Sequence, residues 1–399
     1  MAERSKSGDS VELPGNVAGT GIAVGGRHSG LGEGFIACIR EILLRGLGRM
    51  YRPDVGLFLF RVRRAGREIV PEGTSRRYTA IALIGLAGEE DPVVSAVLSG
   101  GRLQEVCGRL ADGIPQADNL GEVALAFWAS CAVGYPDRTG LKERLVRLER
   151  AQKVHPAVEI AWALTALCND PDSSCEGLRE ELAMRLIASF NDRSRVFPHR
   201  IGENGGGARS HVSCFADMVY PIQALALYHQ LSGDRAALDV AGRCARQICA
   251  RQGSAGQWWW HYDRRTGDVV EPYPVYAIHQ DAMAPMALFA LHEAGGTDFR
   301  SSIARGLGWL ASSPELDGGS LIDTRADLVW RKVARREPGK FSRYAQAVAT
   351  RIHPSFRVPG LDTICPPVSV DFEDRPYHPG WFLHAWTKER MKRWEAEGR

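Results

Sequence analysis

Apolar residues recur at spacings of three and four along most of the chain, the period of a helix with a buried face. Six stretches are Ala/Leu-rich with few charges on any side: YTAIALIGLAG from Tyr78, EVALAFWASCAVG from Glu122, VEIAWALTALC from Val158, YPIQALALYHQLSG from Tyr220, DAMAPMALFALHEAGG from Asp281 and PGWFLHAWTKERM from Pro379. A helix apolar all round is buried nearly all round. Between them run one-faced helices: GRLQEVCGRLADGI, GLKERLVRLERAQ, GLREELAMRLIASF, RAALDVAGRCARQICARQ and FRSSIARGLGWLASS. Several segments end at glycine, a common helix stop. Buried helices alternating with amphipathic ones predict two concentric rings. Six buried helices predict an all-α fold, an (α/α)6 toroid of hairpins. IACIREILLRGLGRM would pair with the first or the last buried helix. The spacing between starts, from about forty to nearly a hundred residues, excludes an open solenoid of fixed repeat. No alternating run predicts a strand.

Composition adds limits rather than direction. The chain has 399 residues, 44% hydrophobic and 24% charged, an ordinary globular mixture. Residues 1–28 are Gly/Ser-rich and read as a tail, and 29–399 as one toroid domain. With 50 Lys+Arg against 47 Asp+Glu the formal charge is +3, which gives no field for nucleic acid. The basic runs RVRRAGR (61–67) and RKVARR (331–336) read as solvated faces. No apolar run approaches the ~18 residues of a membrane span, and the N-terminus lacks the pattern of a secretory signal. Nine cysteines without a CxxC pair point to a reducing, cytoplasmic setting and against a disulfide framework.

The candidate chemistry follows from the ring. Inner helices of such a ring run parallel, so their N-termini share one face. Residues at those starts are Glu122, Glu159, His211, Asp217, Tyr220, Tyr276, His279, Asp281, His378 and Trp381. Acids there can simply cap helices. Capping accounts for neither the histidines nor the tryptophans. Residues 256–291 hold the densest collection, with Trp258, Trp259, Trp260 and Tyr262 ahead of His279 and Asp281. The reading takes Asp281, Asp217, His279 and His211 as catalytic. It takes Trp258, Trp259, Tyr262, Tyr276, Tyr220, Glu159, Glu122, Trp381 and His378 as substrate-binding. The tryptophans can equally pack the ring. Two carboxylates from neighbouring hairpins divide into acid and base when burial separates their pKa values. His211 and Cys214 lack further ligands at metal spacing, so neither metal nor cofactor is expected. Residues 313–378 form a long irregular excursion, functional or disordered.

The repeated Ala/Leu helices, GQWWW at 256–260 and SSIARGLGWLASSP at 301–314 together resemble the α/α-toroid superfamily of squalene–hopene-type terpenoid cyclases and protein prenyltransferases. That resemblance implies an apolar isoprenoid substrate, a protonating acid (Asp281 or Asp217, oriented by His279) and aromatic stabilisation of cations by Trp259 and Tyr276. The cyclase Asp-x-Asp-Asp motif is absent, Asp371-Phe-Glu-Asp374 not matching it, and so is the prenyltransferase zinc pattern. Carbohydrate-active toroids (hydrolases, epimerases, lyases) use similar rings. A sugar enzyme acting on an oligosaccharide through paired acids, or a non-catalytic ligand-binding toroid, therefore remain as alternatives.

Overall fold

A computed structural model describes residues 34–202 and 209–397; the expected tail at 1–28 lies outside them. Twelve helices alternate between outer and inner positions. Outer α1 (Phe35–Met50) leads to inner α2 (Arg76–Leu86). Outer α3 (Leu103–Asp112) and inner α4 (Leu120–Ala132) follow, then outer α5 (Thr139–Ala151) and inner α6 (Ala157–Cys168). Outer α7 (Glu176–Ser189) precedes inner α8 (Ala216–Ser232). Outer α9 (Arg235–Ala250) precedes inner α10 (Ala284–Glu293), and outer α11 (Arg300–Ser312) precedes inner α12 (Tyr377–Ala385). The inner helices pack in the order α2–α4–α6–α8–α10–α12 and back to α2, a closed (α/α)6 ring. All six are the stretches whose sequences are apolar on every side. Outer α1 packs against α12, so the N-terminal helix covers the seam.

Small residues close that seam. A Cβ on Gly85 of α2 would lie 2.3 Å from the backbone oxygen of Gly380, and one on Gly380 of α12 would lie 2.6 Å from that of Ile81. The two backbones touch, which only glycine permits. Aromatic rings fill the middle. Trp128 of α4 meets Trp381 of α12 at 5.2 Å, Trp381 meets Tyr220 of α8 at 5.7 Å, and Tyr220 meets Trp162 of α6 at 5.1 Å. Contacts between non-adjacent inner helices mean that rings of side chains, not an open bore, occupy the axis.

Strands are present, contrary to expectation. The hairpin Leu57–Ala65/Glu68–Thr74 precedes α2, His155–Pro156 pairs with Arg200–Ile201 beside α6, and Val212–Cys214 precedes α8. Val275–Tyr276 precedes the α10 segment, where Lys332–Ala334 bridges it to Ser369–Asp371. These strands sit in the connections that feed inner helices and form a rim at one end of the ring. They escape a period-two search because most are two or three residues long. In Leu57–Ala65 the adjacent Phe58 and Leu59 are both buried, which breaks the alternation. The excursion 313–378 joins this rim and includes a helix, Phe341–Ile352.

The two basic runs are paired rather than merely solvated. Arg61 donates to Glu373 at 2.7 Å and to Glu72 at 2.6 Å, and Arg64 reaches Asp323 at 2.6 Å while lying over Trp330 and Phe372. Arg335 is buried and donates to buried Glu271 at 2.7 Å. A buried carboxylate is costly unless a cation meets it, so Glu271 and Glu373 draw these arginines inward. All nine cysteines are free. Among the described residues no helix is long and apolar enough to cross a membrane.

Candidate active site

The rim surrounds the N-terminal ends of the inner helices. Asp217 sits in the first turn of α8, fully buried, and accepts the backbone N–H of Cys214 at 2.7 Å. Its two oxygens lie 3.0 and 3.2 Å from Nδ1 of His199. His199 is held there by its chain: its carbonyl accepts the N–H of Ala157 at 3.0 Å, and Ser213 Oγ grips the nearby Phe197 carbonyl at 2.7 Å. The His199 side chain is 57% exposed while Asp217 is not exposed at all. The hydrogen bond with Asp217 raises the His199 pKa above its ordinary value, and burial works against that rise. A buried carboxylate behind a half-open imidazole fixes the ring's orientation and steadies its charged form.

Beside this dyad runs a second polar chain. Arg77 Nη2 donates to Asn119 Oδ1 at 2.5 Å, and Asn119 Nδ2 donates to Glu159 Oε1 at 2.9 Å. Asn119 also caps α4 by accepting the N–H of Glu122. Glu122 and Glu159 are half-buried in the first turns of α4 and α6. The Arg77 guanidinium lies over Trp162 at 5.6 Å.

Asp281 has a different setting. Residues His279–Met283 form a π-helical turn, in which the N–H of Ala284 bonds the carbonyl of His279. Such turns re-aim side chains. Asp281 is fully buried, with its carboxylate oxygens 2.9 and 3.0 Å from Nε2 of His378 and its carbonyl accepting Trp386 Nε1 at 2.6 Å. On the other side of His378, Asp374 lies 3.7 Å from Nδ1. Burial would lower the His378 pKa, but Asp281 and Asp374 outweigh it and raise it to about 10. Burial raises Asp374. The three form a buried Asp–His–Asp pin joining the α10 entrance to α12. The expected pairing of His279 with Asp281 is not formed. His279 packs between Phe215 at 4.6 Å and Tyr276 at 5.0 Å, and burial takes its pKa down to about 3. His211 lies away from the rim's opening, buried with Nε2 3.0 Å from Thr350 Oγ1, where it holds helix Phe341–Ile352.

The aromatic residues also divide. Trp258 is wholly buried against Phe215, and its backbone N–H is accepted by Gln280 Oε1 at 3.0 Å. Gly306 makes room for it: a Cβ there would lie 2.7 Å from Trp258 Nε1. Next to it, Gln257 and Trp309 both donate to Glu315, at 2.9 Å each. GQWWW and GLGW thus tie the fifth and sixth hairpins together. Trp259 is partly buried near Tyr273, and Tyr262 is fully buried. Trp260 reaches the rim, stacked on His261 at 4.1 Å, edge-on to Tyr276 at 5.2 Å and covered by Arg343 at 5.1 Å. Arg331 and Lys332 lie over Tyr276 at 5.3 and 5.4 Å. Tyr220 and Trp381 lie below, in the ring's filled interior.

Asp217 and Tyr276 are buried and Glu159 half-buried at or just before the starts of inner helices. Asp281, His378, His279, His211, Trp258 and Tyr262 are buried. Sequence reading missed His199, Arg77, Asn119 and the rim cations. His199 stands in Phe197-Pro198-His199-Arg200, with no apolar helix behind it to mark it. Only its approach to Cys214 and Asp217 through the strands reveals it.

No family model matches the sequence, and no curated protein matches it. Solved structures do. The chain superposes on cellobiose 2-epimerase from Bacillus thermoamylovorans with TM-score 0.58 at 11% identity, covering 89% of this chain and 99% of that one. An unsaturated glucuronyl hydrolase specific for heparin gives 0.56 at 11% identity, covering 92% and 98%. The α-1,6-mannanase of Salegentibacter sp. HEL1_6 gives 0.52 at 12% identity, covering 91% and 100%. All three are α/α-toroid enzymes named for saccharides rather than terpenoid cyclases. At these identities the likeness is one of fold.

Proposed function

We propose that this chain is a carbohydrate-active enzyme of the hydrolase, epimerase or lyase type, acting on an oligosaccharide at the inner-helix N-terminal mouth. The observation that carries the reading is the His199–Asp217 dyad, half-open at a mouth walled by Trp260 and Tyr276. All three reaction types move a proton off one atom and onto another, which needs a positioned acid and base. His199, oriented by Asp217, would be one such group. Glu159, presented from the adjacent inner helix and held by Asn119, would be the other.

The isoprenoid reading needs an enclosed apolar chamber lined by the acid. Among the described residues the ring interior is filled by Trp128, Trp162, Tyr220 and Trp381, and Asp281 is engaged by His378. Saccharide enzymes also supply the fold neighbours. The test is product detection by mass spectrometry after incubation with a panel of neutral and uronate-containing oligosaccharides and, in parallel, isoprenoid diphosphates. The expected outcome is a hydrolysed, epimerised or unsaturated saccharide. A cyclised or ionised isoprenoid, with every saccharide untouched, would reverse the assignment.

A further inference from the structure

His199, Cys214 and Asp217 offer one imidazole nitrogen, one sulfur and one carboxylate oxygen that all lie within 4.8 Å of one another. Three separate pieces of backbone fix them. Cys214 ends a strand paired with His261, Asp217 opens α8, and His199 is tied to Ala157. We propose that these three side chains form a site for one thiophilic divalent cation, with zinc the best fit and a fourth coordination position open to the mouth.

The donor set argues for that class of ion. Zinc binds imidazole, thiolate and carboxylate at about 2.0–2.3 Å, so the edges of its tetrahedron run roughly 3.4–3.6 Å. The Nδ1–Oδ2 distance is already 3.0 Å, and the remaining atoms need shift by about an ångström at most. A thiolate disfavours magnesium and calcium, which seek six or more oxygens. Three protein ligands with one exposed side leave a position for water or substrate, unlike the four-ligand closure of structural zinc. Uptake releases the Cys214 thiol proton to solvent; a neutral His199 ring shifts its Nδ1 proton to Nε2, and a charged ring releases one proton more. The two anionic ligands then balance the cation's charge in a buried corner. Arg200 and Arg209, whose charges act on His199, oppose the cation.

The proposal goes beyond the saccharide reading and does not depend on it. The cation would take the same nitrogen and oxygen that form the dyad, so an occupied site and a proton-sharing His199–Asp217 pair exclude each other. Its test is binding, read without turnover. The full chain is stripped with a chelator and titrated with Zn2+ in competition with a chromophoric indicator. Cobalt(II) loading then reports sulfur ligation through its thiolate charge-transfer absorption. The expected result is one equivalent per chain and a thiolate band, with affinity falling roughly 100-fold or more in His199→Asn and in Cys214→Ser, beyond the ~10–100-fold loss that follows removal of a mere supporting partner. His199 is 57% exposed and Asn keeps a polar group toward Asp217, so His199→Asn, checked for folding by thermal unfolding, keeps the test decisive if Cys214→Ser is unstable. Absence of stoichiometric uptake overturns the proposal. So does uptake unchanged in His199→Asn, or a cobalt adduct without the thiolate band. Saccharide turnover by metal-free enzyme would leave the function standing even where the cation fails.

Discussion

A carboxylate at a helix entrance can cap, pair or react, and Asp217 and Asp281 divide along that line because of what stands opposite each. Asp217 faces an imidazole that reaches solvent; Asp281 faces one that does not. Breaking a buried pair leaves an uncompensated charge, so Asp281→Asn should cost about 3–5 kcal/mol of stability. The pH dependence has a definite sign. Folded His378 keeps its proton up to about 10, while an unfolded histidine loses it near ~6.5. The folded state binds more protons in between, so the pin's stabilisation is intact below ~pH 6.5 and drains as pH rises toward 10. Denaturant melts of wild type and Asp281→Asn should therefore differ most near pH 6 and converge near pH 10; a gap that widens with pH contradicts the pin. The tryptophans give a second contrast. Trp258→Ala should cost roughly 3–5 kcal/mol, measured by thermal unfolding. Trp260→Ala should leave stability within ~1 kcal/mol and raise KM instead. Asp217 and Glu159 were legible in the sequence as residues at inner-helix starts. Trp260 was named only as one of three tryptophans, and His199 not at all, because His199 meets Asp217 by a side-chain contact between segments that no sequence pattern joins.

At the level of elements, the inner helices were legible for a simple reason. Burial on every side writes itself as an uninterrupted apolar composition, and Tyr78, Glu122 and Val158 each open such a run within two residues of an observed helix start. The rim strands carry no comparable mark. Outside the hairpin Leu57–Ala65/Glu68–Thr74, several of their partners are distant in sequence, as Lys332 with Tyr276 and Asp371 shows. The basic runs misled for the same reason: what Arg61 and Arg331 meet is Glu373, hundreds or tens of residues away. Seam closure yields an element-scale prediction. Gly85→Ala puts a methyl against the Gly380 carbonyl, which is backbone and cannot swing aside, so overpacking should cost about 1–3 kcal/mol or more. Thermal unfolding checks it. Gly140→Ala, on outer α5 with open space around it, is the control and should be neutral or slightly stabilising.

Across the whole molecule, twelve helices form the ring and, on the proposed function, the rim carries the chemistry, a division that lets one fold serve many reactions. That is why the toroid could be inferred while its resemblance pointed toward terpenoid cyclases. The apolar helices and the Gln-Trp latch at 256–260 belong to the scaffold, and Gln257, Trp258 and Trp309 do scaffold work here. The distinguishing residues, His199 with Asp217 and Glu159 with Asn119, stand where the inner helices begin.

The proposed function puts chemistry at His199 and not at the buried Asp281 pin. Initial rates on the best saccharide found, measured side by side for wild type, His199→Asn and Asp281→Asn at a temperature where all three are folded, test it most directly. His199→Asn is expected to lower kcat by about 10²–10⁴-fold while still folded, whereas Asp281→Asn keeps most of its turnover and loses stability. Full turnover in His199→Asn, with none in folded Asp281→Asn, would contradict it.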